Sequence, residues 1–291
     1  MMLLFRKLLL AGLAIVICMP SGAWSAENAG NPSVLRVSAI PDEDPTRLLR
    51  KFEPMANYLE AKLGMKVKFI PVIDYAATVE GMKAKKLDLV WYGGFTAVQA
   101  MHRAGAIPIV QRARDTKFHS KFIASVKSGI TGLEELKGHT FSFGSVSSTS
   151  GHLMPRYYLL GKGIDPEKHF KRMSFSGAHD ATAKWVESGK VDAGALNEAV
   201  WARLVNEGKV DTGKVKVIWT TPSYYDYNWT VGKHIDAALR EKIRDAFMAL
   251  DYDKPADRKI MDLQRAKSFI ATYPENYQGI EKAAKSAGLL R

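Results

Sequence analysis

The residues with the most chemistry in common lie in one stretch, Phe143-Gly144-Ser145-Val146-Ser147-Ser148-Thr149-Ser150-Gly151. It follows an apolar strand-like run, His139 to Phe143, and leads into a helical pattern that begins near His152. A helix start leaves its first N–H groups unpaired and carries a partial positive charge, so hydroxyls gathered there make a seat for a phosphate-like group. The same hydroxyls also serve as ordinary helix caps. Pro155 fits only near a helix start, so the first turn is expected to be irregular. A nucleotide phosphate loop needs a lysine after its last glycine, and His152 stands there instead. The chain has no Gly-x-Ser-x-Gly elbow, no Ser-x-x-Lys pair and no two histidines at metal-ligand spacing.

Three more places carry candidate groups. Ser176-Gly177-Ala178-His179-Asp180 lies where a strand passes to a helix, which places His179 to face the same cleft as the serines and donate to an anion. Alternatively, His179 or Asp180 caps the helix beginning at Ala181. Asn197 stands at the carboxyl end of an apolar run, Val191 to Leu196, and is either a ligand or a cap. The cluster Tyr224-Tyr225-Asp226-Tyr227-Asn228-Trp229 is rich in phenols, which suits the wall of a cleft and also packing between lobes.

The elements around these residues alternate strand-like apolar runs with amphipathic segments, the pattern of an α/β protein built on largely parallel sheets. Leu35 to Ile40 reads as a strand. Asp44-Pro45 caps and opens a helix whose apolar face runs to Leu63, with Gly64 as its stop and Pro54 as a kink. Val67 to Val72 and Leu87 to Tyr92 continue as strands, with a helix from Tyr75 to Lys85 between them and another from Thr96. A second α/β lobe opens near Gly132. The chain is expected to cross between lobes near Ser120 to Ser125 and return near Tyr224 to Val231. That gives one lobe from residues 33–122 plus 228–291 and the other from 123–227, with helices from Ile235 onward packing on the first. No proline-rich or low-complexity tether separates them, so short hinges and a ligand cleft between the lobes are expected.

Arg6 and Lys7 precede an unbroken apolar run from Leu8 to Met19, then Pro20, Ser21 and Gly22, which reads as a secretory signal peptide over residues 1–25 with cleavage after Ala23 or Ser25. Cys18, the single cysteine, lies inside that run, so the mature chain has no thiol for a disulfide, a zinc site or a nucleophile. The net charge of +12 is spread along the chain with acidic residues between, and no block of like charge makes a nucleic-acid stripe. A diffuse positive field favours an anionic ligand, and equally describes a soluble basic surface.

Together and in order, these motifs resemble the phosphonate- and phosphite-binding receptors of ABC importers, within the class II periplasmic binding proteins, from about Leu35 to the C-terminus. The resemblance implies that Ser148, Thr149 and Ser150 form an oxyanion loop and that His179 is a ligand contact. It also implies roles for Tyr75, which follows the second strand, for Asp226 at the hinge, and for Gly93, Gly94 and Thr96. Leu133-Glu134-Glu135-Leu136-Lys137-Gly138 is similar to the usual start of the second lobe. Trp91-Tyr92-Gly93-Gly94-Phe95-Thr96-Ala97 departs from the Gly-Pro-then-tyrosine pattern of phosphonate receptors, losing a ligand contact at Ala97, and looks more like a branch assigned to selenate or arsenic oxyanions. The arsenite sensors of that branch use a cysteine that the mature chain lacks. The implied protein is a periplasmic, non-enzymatic, two-lobed receptor that takes phosphonate, phosphite, phosphate or selenite without a cofactor and delivers it to an ABC permease in the inner membrane. The alternative is a sensor that presents its ligand to a membrane histidine kinase. An enzyme of the same fold, akin to thiamine-pyrimidine synthases, would need a histidine- or cysteine-rich site.

Overall fold

The computed structural model describes residues 31–290; the apolar leader and Cys18 lie outside the described residues. Eleven strands are described: β1 (Val34–Ala39), β2 (Lys66–Phe69), β3 (Leu89–Tyr92), β4 (Ile107–Arg112), β5 (Ser120–Ser125), β6 (Thr140–Phe143), β7 (Arg172–Phe175), β8 (Ala193–Asn197), β9 (Val215–Thr220), β10 (Asn228–Val231) and β11 (Phe269–Ala271). They form two sheets, one ordered β11-β4-β10-β3-β1-β2 and the other β7-β6-β8-β5-β9. The helices are α1 (Pro45–Leu63), α2 (Tyr75–Lys83), α3 (Gly94–Ala104), α4 (Met154–Gly161), α5 (Pro166–His169), α6 (His179–Glu187), α7 (Glu198–Asn206), α8 (Ala237–Met248), α9 (Pro255–Leu263) and α10 (Gln278–Ser286).

The longest helix shows how local sequence sets these bounds. The Asp44 carboxylate accepts the Arg47 N–H at 3.1 Å, Pro45 opens the first turn, and Gly64 closes the helix in the left-handed region at φ 65°. Leu48, Phe52, Met55 and Leu59 make the buried stripe. The helix runs without a break through Pro54. Its face packs on the first sheet, where Phe52 meets Phe69 at 5.5 Å and Trp229 at 5.7 Å between ring centroids.

Several expectations change. The sheets are mixed: β10 and β11 run antiparallel to their neighbours in the first sheet, and β5 runs antiparallel to both β8 and β9 in the second. β5 belongs wholly to the second sheet, so the outward crossing lies upstream in residues 113–119, and a boundary at 122/123 would cut a strand. An apolar run identifies a strand but not the sheet it joins, which pairing alone decides. The return crossing precedes β10, and it is tied to the outward one by paired backbone hydrogen bonds between Phe118 and Tyr224 at 2.9 and 3.0 Å. The C-terminal region contains β11 as well as helices; a three-residue edge strand has too short a pattern to register. α3 opens at Gly94, two residues before the expected Thr96.

Candidate functional site

The serine loop ends in a turn wider than an α-helical one, Thr149–Leu153, in which the Leu153 N–H reaches back five residues to the Ser148 carbonyl at 2.9 Å. This is the irregular start that Pro155 demands, and α4 follows it directly. The Ser148 hydroxyl oxygen accepts the Gly151 N–H at 3.0 Å, which leaves its own hydrogen to donate. Ser148, Thr149 and Ser150 are all buried. Gly151 has a steric reason: a Cβ there would sit 3.0 Å from both His179 Cε1 and Ser148 Oγ.

The loop meets the start of α3 across the cleft. Phe95 donates its N–H to Thr149 Oγ1 at 2.9 Å, Gly94 donates to Asp226 Oδ1 at 2.8 Å, and the Thr149 hydroxyl in turn hydrogen-bonds Asp226. A Cβ on Gly93 would lie 2.9 Å from Thr149 Oγ1 and 3.1 Å from Asp226 Oδ1, so the two walls close only over a glycine. Gly93 and Gly94 therefore act through their backbone. Thr96 differs from expectation: its hydroxyl donates to the Ser147 carbonyl at 2.8 Å, making it a fastener between the walls and not a free donor to a ligand.

Asp226 is fully buried, and burial drives its carboxyl up to about 7 despite the Gly94 and Thr149 hydrogen bonds that favour the ionised form. Its backbone is fixed by a bond from its N–H to the Asp115 carbonyl at 3.0 Å. Asp115 is held in a bidentate pair with Arg112, both contacts 2.6 Å. Asp226 Oδ2 has no partner.

His179 opens α6, with its backbone N–H bonded to the Asp42 carbonyl at 3.1 Å. The helix starts two residues before the expected Ala181 and its N-cap position is Ala178, so neither His179 nor Asp180 is the cap; Asp180, in the first turn, accepts the Ala181 N–H at 2.9 Å and the Asp44 N–H at 3.1 Å. Burial pushes the His179 imidazole below its usual range, so the ring is neutral near pH 7. Nδ1 accepts the Asn197 N–H at 3.4 Å, which assigns the proton to Nε2, and Nε2 is buried without a partner. Tyr75, the first residue of α2, is kept protonated by burial and by the nearby Asp42 charge. Its hydroxyl lies near Ser148 but makes no fully formed hydrogen bond.

Asn197 resolves to a cap with a second task. Its Oδ1 accepts the Val200 N–H at 2.6 Å to start α7, and its Nδ2 donates to the Tyr227 hydroxyl at 2.8 Å. Tyr227 passes its own hydrogen to Asp42 Oδ2 at 2.8 Å. Asp42 was not among the expected site residues, and Tyr227 entered only as a member of the phenol-rich cluster. Asp42 stands just past the carboxyl end of β1, where open α/β sheets place their ligands, and that position was the signal available. Its Oδ1 is buried and unpaired.

The fold is that of a two-lobed periplasmic binding protein, with buried donors and an acidic acceptor drawn together from both sheets. The profile of the family described as ABC transporter, phosphonate, periplasmic substrate-binding protein matches residues 37–277. The chain is 38% identical, over 92% of its length and 94% of the relative's, to the probable ABC transporter phosphite binding protein PhnD1 of Prochlorococcus marinus. It is 31% identical to the phosphonates-binding periplasmic protein of Escherichia coli, over 77% of this chain and 68% of that one. The structure of the Prochlorococcus PhnD1 in complex with methylphosphonate superposes with a TM-score of 0.85 at 37% identity, covering 89% of this chain and all of that one. The chain belongs to the phosphonate-binding family of periplasmic ABC substrate-binding proteins and is the substrate-binding component of an importer of the phosphonate and phosphate type. Among the described residues no helix is long and apolar enough to cross a membrane.

Proposed function

We propose that the protein captures an oxyanion that still carries one proton, with phosphite and methylphosphonate as its preferred ligands, and delivers it to an ABC permease. The observation that carries this reading is the burial, in one contact network, of unpaired donors on Tyr75 and His179 with an unpaired acceptor, Asp226 Oδ2. The hydroxyls of Ser148 and Ser150, the first N–H groups of the turn, Tyr75 and His179 Nε2 hold the ionised oxygens. Asp226 accepts the ligand's O–H. A fully ionised oxyanion offers Asp226 no hydrogen and brings a like charge against it. The names of the phosphite and phosphonate relatives favour phosphorus over selenium within this class.

Calorimetry at pH 7 and 8.5 with phosphite, methylphosphonate, phosphate, selenite, sulfate and selenate tests this. The protonatable ligands should bind, and sulfate and selenate should bind more weakly, by a margin that widens as pH rises from about 7 to 8.5 and Asp226 gives up its own proton. Tight selenate binding with phosphite and methylphosphonate ignored would refute it. Export through a signal peptide cut after Ala23 or Ser25 belongs to the same reading. An exported protein that retains its N-terminus in mass spectrometry would count against it.

A further inference from the structure

A second concavity lies apart from the oxyanion site. It is a groove of about 600 Å³ whose lining includes Arg47, Arg50, Lys51, Arg114, Arg203 and Arg265 against only two acidic side chains, Glu207 and Asp262. Some of this charge is spent. Arg203 pairs with Glu43 at 2.7 Å and with Glu207 at 3.1 Å, Arg47 pairs with Glu207 at 2.9 Å, and Arg265 pairs with Glu43. Burial would raise the Glu43 carboxyl, but Arg265, Lys51 and Arg203 together pull it down to about 2.

Three cations remain without a carboxylate partner among the described residues: Arg50, Lys51 and Arg114. Lys51 Nζ rests over the rings of Phe52 and Trp91 at 4.8 and 5.6 Å. Burial above all, with Arg265 and Arg112 outweighed in part by Asp42 and Glu43, pushes its ammonium down to about 8. Arg114 is likewise lowered, by burial and then by Arg112. Arg203 adds an Nε that is buried without a partner. Closing the lobes thus crowds positive charge that the protein's own carboxylates do not neutralise.

The groove is also shared between the lobes. α7, from the second, contributes Arg203, Asn206 and Glu207, while α1, the outward crossing and the α9 end supply Arg47, Arg50, Arg114 and Arg265 from the first. From this geometry we propose that the groove is a second anion site, for a small molecule carrying several phosphate-type charges, and that its occupancy holds the lobes closed. A single tetrahedral oxyanion would fill only a small part of 600 Å³ and match only part of this charge, and that volume lies within the range of pockets that hold extended small molecules. An anion that touches both lobes binds the closed form better than the open one, so it must raise affinity at the oxyanion site by the same factor as that ligand raises its own. This last coupling rests on the proposed function; the site itself does not.

Tripolyphosphate is the probe, with ionic strength held constant by chloride. Alone, it should raise the unfolding midpoint of the native protein. At saturation it should tighten methylphosphonate binding by about 5-fold or more, within the usual range of coupling between sites. Arg50→Ala with Arg114→Ala should remove both effects while leaving the affinity for methylphosphonate alone unchanged. Lys66→Ala with Lys68→Ala, the same charge loss on the exposed edge strand β2, should keep both. Equal responses in the two double variants, no response in the native protein, or competition between tripolyphosphate and methylphosphonate would overturn the proposal. If methylphosphonate does not bind at all, the midpoint measurement still decides the groove, and the failure then belongs to the oxyanion reading.

Discussion

Asp226→Asn is the substitution that most directly tests how the site reads its ligand. Asn keeps an oxygen for the Gly94 N–H, 2.8 Å away, and replaces the unpaired Oδ2 with an amide donor. The stability effect follows from the carboxyl's displacement from the ordinary 3.8 to about 7. Roughly three powers of ten in proton affinity correspond to about 4 kcal/mol, as an order of magnitude. The sign is fixed by the direction. A raised carboxyl binds its proton more tightly in the folded state, so its contribution to stability is fully present below about pH 4 and is lost as pH rises through about 7. The variant should therefore flatten the stability profile between those limits and be more stable than the native protein at pH 8. Binding should move the other way. Methylphosphonate and phosphite lose a hydrogen bond to a charged acceptor, about 1.5–3 kcal/mol or roughly 10- to 150-fold, while sulfate gains a donor and loses a repulsion. Urea unfolding from pH 4 to 8.5, with calorimetry of methylphosphonate and sulfate at pH 7, measures both. An unchanged pH profile together with an unchanged preference would refute the placement of Asp226 against the ligand's proton.

Ser148→Ala combined with Ser150→Ala should weaken methylphosphonate binding by about 3–6 kcal/mol, since each of the two lost bonds to a charged group contributes about 1.5–3. Calorimetry on the double variant with an unchanged circular-dichroism spectrum checks this, and native affinity would remove the turn from the site. Gly93→Ala should lower affinity by at least about 10-fold, because the new methyl would meet Thr149 and Asp226 as the walls close. The unfolding midpoint should hardly move, since Gly93 has φ −79° and needs no glycine for its backbone; small-angle scattering should show the variant failing to compact with ligand, and full compaction would refute the steric argument.

Much of the architecture is legible in the chain because its signals are local. The Asp44-Pro45 start and the Gly64 stop of α1 depend on residues within a turn of each end, and the structure follows them to the residue. The wide turn before α4 is likewise written in Pro155. The sheet joined by β5 is not legible, because its partners lie 70 to 100 residues away and its own apolar pattern fits either lobe. Within the site, Ser148, Thr149, Ser150, His179, Tyr75 and Asp226 converge in the structure, but only the serine turn and His179 announce themselves by type and setting; the others came through family likeness. Thr96 and Asn197 carry the right chemistry and spend it elsewhere, on the Ser147 carbonyl and on the α7 cap. A polar residue at a strand end is a donor in sequence and a free donor only in three dimensions. Asp42 was hidden for the opposite reason, lying in an acidic segment that reads as a helix lead-in.

The unpaired groups also explain why closure should wait for the right ligand. In the closed arrangement Tyr75 and His179 each bury a donor, and Asp226 buries an acceptor, with no protein partner. A buried group left unsatisfied costs about 1–3 kcal/mol, so together they set several kcal/mol against the fasteners that join the walls, Thr149 to Phe95 and Thr96 to Ser147. On the proposed reading a singly protonated oxyanion would return all three bonds at once. On the same reading sulfate would return the two donors' bonds but leave Asp226 repelled above about pH 7, where the carboxyl is ionised, so its closed state would keep part of the cost there and lose that penalty as pH falls. Selectivity and the shape change a permease can read thus arise from the same few atoms, and weakening the fasteners should blunt ligand discrimination and compaction together.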